Sequence, residues 1–230
     1  MSKTPSLTNR TDIAAFTRKA RAIRAFTSRQ TRLCFALDAT ASREPTWQQA
    51  QRAHAALYAA ATDAESLAVQ LCYYRGLSEF QASPWISHAP LLLERLEAVS
   101  CEGGATQIER VLRHYLDINT TTAPVRALVF VGDAVEETSA RLTDLAGQCG
   151  LKKQPLFLFQ DGSDSRAAQV FEQMARLSGG AYARLNDSSG ALLRELLGAV
   201  VRYATGGRPA LTSSNNDSDK LLLRQLPGSR

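Results

Sequence analysis

Asp38, Thr40 and Ser42 stand at alternate positions just behind the apolar run Cys34-Phe35-Ala36-Leu37, so one short loop offers a carboxylate and two hydroxyls. These are hard oxygen donors, a set that suits Mg2+ (or Mn2+) rather than zinc or copper. Two other stretches offer oxygen ligands of the same kind. Gly103-Gly104-Ala105-Thr106 is a flexible turn that ends in a hydroxyl just before a helical pattern starting near Ile108, where Thr106 is also a candidate cap. Val129-Phe130-Val131-Gly132-Asp133 is a second apolar strand pattern that ends in an aspartate. The chemistry these residues point to is metal-assisted binding, provided the fold brings their loops together.

The elements that would do so are legible in the pattern. Strand-like runs fall at residues 33–37, 66–74, 125–131, 155–159 and 181–184, and several are almost continuously apolar, as strands covered on both faces are. Helical patterns fall between them at 46–62, 89–98, 108–116, 138–149, 165–177 and 189–204. Gly150, Gly179-Gly180 and Gly206-Gly207 follow the last three of these, where glycine tolerates the left-handed cap conformation. Alternation of strands with helices predicts an α/β fold: a doubly wound, mostly parallel central sheet with helices on both faces, Rossmann-like in plan. Ligands of such sheets gather beyond the carboxyl ends of the strands, near a switch in strand order. Asp38 and Asp133 both occupy strand ends of that kind.

Composition excludes several other classes. The chain has 230 residues, of which 44% are hydrophobic and 21% charged, and no window approaches a membrane span. Met1 to Arg10 lacks the apolar stretch of a secretory signal, so a cytoplasmic location is expected. Cys34, Cys72, Cys101 and Cys149 show neither CxxC spacing nor disulfide-scaffold density and read as buried free thiols. His54, His88 and His114 form no HExxH-type pair, which leaves zinc without support.

The net charge of +5 is unevenly placed. Eight of the 27 basic residues lie between Met1 and Arg32 against one acidic residue, Asp12, so the remainder carries 19 basic and 21 acidic residues. Within this basic start, Ile13, Phe16, Ala20, Ile23 and Phe26 recur at three- and four-residue steps, predicting an amphipathic basic helix within residues 1–31. At the other end, residues 212–219 (TSSNNDSD) are polar and turn-rich. Residues 206–230 therefore read as a flexible tail carrying a short leucine-rich island at 220–226.

Taken together, these residues resemble the von Willebrand factor type A (VWA) domain, whose metal-ion-dependent adhesion site (MIDAS) joins a DxSxS loop after the first strand, a later threonine and an aspartate after the fourth strand. Asp38-Ala39-Thr40-Ala41-Ser42 matches the first element with threonine at the middle position, Thr106 matches the threonine, and Asp133 matches the second aspartate. Gly132-Asp133-Ala134 departs from the usual Thr-Asp-Gly, keeping the aspartate but changing the turn. The resemblance spans about residues 32–204 and makes 32–205 the VWA-like domain. It implies that Thr40, Ser42 and, in at least one state, Thr106 coordinate magnesium, while Asp38 and Asp133 hold the ion or its waters. It further implies a compact intracellular adaptor that binds the Asp or Glu of a protein partner, such as a chaperone or ATPase assembly, and has no catalytic residues.

Two other functions use the same features. A magnesium-dependent phosphoryl-transfer or hydrolytic enzyme would employ the aspartate pair. The sequence has no GxxxxGK[ST] loop, no GxSxG elbow and no second acid two residues after Asp38. The basic N-terminal helix would suit nucleic acid or another acidic surface, with steep salt dependence, although it carries no interleaved aromatic platform or DNA-reading motif.

Overall fold

Cys34, Ala36 and Asp38 point to one side of the first strand and Leu33, Phe35 and Leu37 to the other, and all six are buried because helices cover both faces. The computed structural model describes residues 30–43, 67–185 and 189–228. The chain divides into two units, Met1–Gln30 and Thr31–Arg230, and the helices expected at 11–29 and 46–62 lie outside the described residues. Labels below number the described elements in chain order.

The central sheet has six strands: β1 (Thr31–Asp38), β2 (Leu67–Arg75), β3 (Glu79–Ala82), β4 (Val125–Gly132), β5 (Leu156–Asp161) and β6 (Ala181–Leu185). Their spatial order is β3-β2-β1-β4-β5-β6. All pairings are parallel except β2 with β3, which is antiparallel. This is the expected doubly wound α/β sheet with one added strand. β3 (Glu-Phe-Gln-Ala) is short, polar and partly exposed, so its sequence carries no strand signal. It is extended because a tight turn at 76–78 returns it along the open edge of β2.

One face is covered by α1 (Ala89–Glu97), α5 (Ser189–Thr212) and α6 (Asp217–Gln225). Leu92, Leu96, Leu193, Leu197, Val200 and Leu222 pack there on Phe35, Val129 and Phe157. The opposite face is covered by α2 (Ile108–Ile118), α3 (Ser139–Leu151) and α4 (Ser165–Ser178). Val111, Tyr115, Leu142, Leu145, Phe171 and Met174 pack there on Ala36, Phe130 and Leu158. Cys34, Cys72 and Cys149 are buried free thiols, as their apolar settings predict, and Cys101 is half-buried. Among the described residues, no helix is long and apolar enough to cross a membrane.

The helix ends agree with the glycine signals in part. Gly179 caps α4 in the left-handed region (φ 74°), while α3 runs through Gly150 and ends at Leu151. α5 is interrupted at Gly207 (φ 65°, ψ −163°) and resumes to Thr212.

The expectation of a flexible tail over 206–230 is corrected. Asn216 caps α6 by accepting from the Ser218 amide at 2.8 Å, Asp219 is fully buried against Arg202, and Leu222 and Leu226 enter the core. Gln225 accepts from the Tyr182 amide at 2.9 Å and donates to the Tyr182 carbonyl at 2.8 Å, so its side chain satisfies part of the β6 edge. The polar window conceals a helix start: an Asn cap followed by Asp217 and Asp219 in the first turn.

Candidate functional site

Asp38 is the last residue of β1 and Asp133 follows the last residue of β4, at the same ends of two adjacent parallel strands. β1 pairs with β2 on one side and with β4 on the other, so strand order reverses between β1 and β4. The two aspartates therefore lie at the topological switch point, where doubly wound sheets bind ligands.

Asp38 is fully buried and all its visible partners are donors. Its Oδ1 accepts from the Thr40 amide at 2.8 Å and the Thr40 hydroxyl at 2.7 Å, and its Oδ2 accepts from the Tyr74 hydroxyl at 2.8 Å. Thr40 Oγ1 lies 3.0 Å from Ser42 Oγ. Because the single Thr40 proton goes to a carboxylate that can only accept, Ser42 is the donor of that pair. Thr40 then retains one lone pair and Ser42 two.

The loop is fixed from below and from the side. Residues Ala41–Arg43 form a 3-10 turn, and the Arg43 side chain, 1% exposed, reaches back to Asp161 at the end of β5 with a 3.6 Å separation. The Ala39 amide donates to the Tyr74 carbonyl, and the Glu102 amide donates to the Ala39 carbonyl, each at 3.0 Å. These bonds join the Asp38–Ser42 loop to the loop that carries Thr106. Gly104 allows that second loop to lie on the β2–β3 turn, since a Cβ at this position would come 1.9 Å from the Gly76 carbonyl oxygen.

Gly132 brings the third loop in. A Cβ there would lie 2.7 Å from the Phe130 ring and 3.4 Å from the Asp38 Cβ, so the glycine lets β4 end close beside Asp38. The next residue, Asp133, has a buried Oδ1 with no hydrogen-bond partner among the described residues.

Thr106 is held by acids of that same third loop. Its hydroxyl donates to Glu137 Oε2 at 2.5 Å and accepts from the Glu136 amide at 3.0 Å, and its own amide donates to Glu136 Oε2 at 2.9 Å. Glu137 Oε1 accepts from the Glu109 amide at 2.9 Å, in the first turn of α2, whose N-cap Gln107 makes no side-chain cap bond. A carboxylate from a neighbouring loop thus caps α2, the role expected of Thr106 itself. The Thr106 oxygen keeps one lone pair.

The electrostatics are those of crowded acids. Burial raises the Asp38 pKa above its usual 3.8, the Thr40 and Tyr74 hydrogen bonds oppose the rise, and the negative charge of Asp133 adds to it. Burial first, then Asp38, push the Tyr74 hydroxyl well above its ordinary 10.0, with Glu137 and Asp133 contributing, so its proton stays available for donation.

Asp38, Thr40 and Ser42 thus form one hydrogen-bonded series with Asp133 beside it, and Thr106 is tied through Glu136 and Glu137 to the loop of Asp133. Among the described residues, no three His, Cys, Asp or Glu side chains group as a metal cluster, so a cation here would depend on hydroxyl oxygens as well as carboxylates. The donor set fits a hard divalent ion. Each hydroxyl has its proton committed inside the protein and a lone pair left over, and a buried carboxylate oxygen stands unpaired beside a second carboxylate. Sequence reading overlooked Arg43 and Glu137, and it did not place Tyr74 against Asp38. Tyr74 sits directly across from Asp38 in the β1–β2 register, which only a known strand pairing reveals. Gly162-Ser163-Asp164 turns the chain from β5 into α4, where the Asp164 side chain caps the helix by accepting from the Ala167 amide at 2.6 Å. Trp85 packs under the Arg32 guanidinium at 4.9 Å, near the start of β1 and away from Asp38.

No family model matches the chain, and no curated protein matches it either. Solved structures do. A von Willebrand factor type A protein from Catenulispora acidiphila is 16% identical with a TM-score of 0.63, over 77% of this chain and 43% of its own, so the chain spans less than half the length of that protein. An aerotolerance-related membrane protein from Bacteroides fragilis is 17% identical with a TM-score of 0.58, over 74% of this chain and 98% of its own. The VWA domain of SpRpn10 is 10% identical with a TM-score of 0.56, over 72% of this chain and 94% of its own. With the order β3-β2-β1-β4-β5-β6 and these matches, the chain has the von Willebrand factor type A fold.

Proposed function

We propose that the chain is a non-enzymatic protein-interaction module that takes a partner's Asp or Glu carboxylate through a Mg2+ (or Mn2+) held by Asp38, Thr40, Ser42, Thr106 and Asp133. The observation that carries this reading is the buried, unpaired Oδ1 of Asp133 beside the Asp38 carboxylate. An uncompensated pair of acids at a switch point is costly by itself and favourable around a cation. A divalent ion bound there supplies a Lewis-acid position for an incoming carboxylate.

The protein's own groups divide the remaining work. Tyr74 and the Thr40 amide hold Asp38 in one orientation, so its charge faces the loop without a search among rotamers. Thr40 and Ser42 direct their protons inward along the chain to Asp38 and leave oxygen lone pairs outward. Glu137 positions Thr106. The VWA fold supports the interaction role over catalysis, and an intracellular protein partner belongs to the same proposal.

Capture from a native cell extract tests it. Magnesium should enrich a partner that is lost with EDTA and lost again when the bait is Asp38→Asn. Equal capture in all three conditions would contradict the proposal.

A further inference from the structure

A cavity of about 520 Å³ opens at the other end of the sheet, near the first residues of β1 and β4, lined by Thr31 and Val125 together with Lys152, Lys153 and the bend of α5. Its volume lies within the range of small-molecule sites, about 300–1,000 Å³. Arg126, Lys152 and Lys153 line it, and no carboxylate does among the described residues. None of the three makes an ion pair with a described residue.

The backbone is irregular where it presents these cations. β1 and β4 pair Arg32 with Val125 and then Leu33 with Ala127, so Arg126 is passed over as a bulge. The phase of the strand changes there: Val125 is buried in the core of one face and Ala127 in that of the other, with Arg126 left exposed between them. Bulges are rare in parallel pairs and re-aim side chains next to sites. Lys153 has φ 55°, and among the described residues no other non-glycine residue has a positive φ. A lysine is thus kept in a backbone state that glycine fills more easily. The third wall is the interruption of α5 at Gly207, and Tyr203 beside it is braced by an edge contact with Phe157 at 5.2 Å.

We infer that this cavity binds a small phosphorylated anion of nucleotide size, bearing at least two negative charges. Clustered cations with no acid among them favour a multivalent anion, and an Arg with two Lys is a donor set suited to phosphate oxygens. The volume leaves room for an organic part against the fixed Tyr203 ring. The site is separate from the one at Asp38 and requires no divalent metal.

Calorimetric titration of the full chain in EDTA tests the assignment, with ADP, pyrophosphate and inorganic phosphate as probes and potassium chloride at matched ionic strength as the control. ADP and pyrophosphate should saturate at one site per chain, both more tightly than inorganic phosphate. Arg126→Gln and Lys153→Asn should each weaken them about tenfold, the loss of one charge-assisted contact. Asparagine tolerates the Lys153 backbone, and circular dichroism reports whether each variant is folded. Asp133→Asn should leave these affinities unchanged, which separates this site from the metal proposal. Absence of saturation by every probe, or equal affinity in the wild-type chain and both folded variants, would overturn the inference.

Discussion

The Tyr74 hydroxyl donates to Asp38 Oδ2 at 2.8 Å across directly paired positions of β1 and β2, and both side chains are fully buried. Tyr74→Phe keeps the ring stacked near Phe130 but removes the donor. It should cost about 1–3 kcal/mol of stability, read by urea unfolding, because a buried carboxylate oxygen loses its partner. It should also raise the Asp38 pKa further and weaken cation binding. Unchanged stability would mean that water replaces the hydroxyl.

Asp38 makes the metal-free protein less stable as pH rises. Its folded pKa is raised above the ordinary 3.8, so the folded state holds the proton more tightly than the unfolded one. The stabilisation is complete below the unfolded pKa and is lost as pH climbs through the folded value. At pH 7 in EDTA, Asp38→Asn should therefore unfold at a higher temperature than the wild type, and excess magnesium added in place of EDTA should raise the melting temperature of the wild type only. A lower melting temperature for the variant would contradict the sign.

Glu137→Ala should release Thr106 and uncap α2 together, since one carboxylate serves the Thr106 hydroxyl and the Glu109 amide. The expected loss is about 1–3 kcal/mol, with faster amide hydrogen exchange at Glu109. Exchange at the wild-type rate would show that the bond does not hold the helix.

Leu222→Ala tests whether the C-terminal helix belongs to the core. Leu222 is fully buried on the α1/α5 face, so the change should cost about 2–5 kcal/mol. A residue in a flexible tail would show no loss.

The strands and the oxygen donors were legible in sequence for one reason: apolar runs of β1 and β4 are covered on both faces, and each stops at an aspartate. Hydrophobic pattern and strand-end chemistry are local. What stayed hidden depends on pairing. β3 exists through the edge of β2, Tyr74 acts on Asp38 through register, and Glu137 reaches Thr106 across 31 positions of chain. The tail misled because leucines in a polar stretch look unsupported until β6 and α5 supply the surface they cover. Arg126 could not be singled out either, since a bulge is a property of two strands together.

The central claim is that Asp133 completes a divalent-cation site with Asp38, Thr40, Ser42 and Thr106. Calorimetric titration of EDTA-stripped chain with Mg2+ and with Mn2+ tests it most directly. One saturable site per chain, abolished in a folded Asp133→Ala variant and weakening as pH falls through the raised Asp38 pKa, is the predicted result. No saturable uptake of either ion, or equal uptake by the variant, would contradict it.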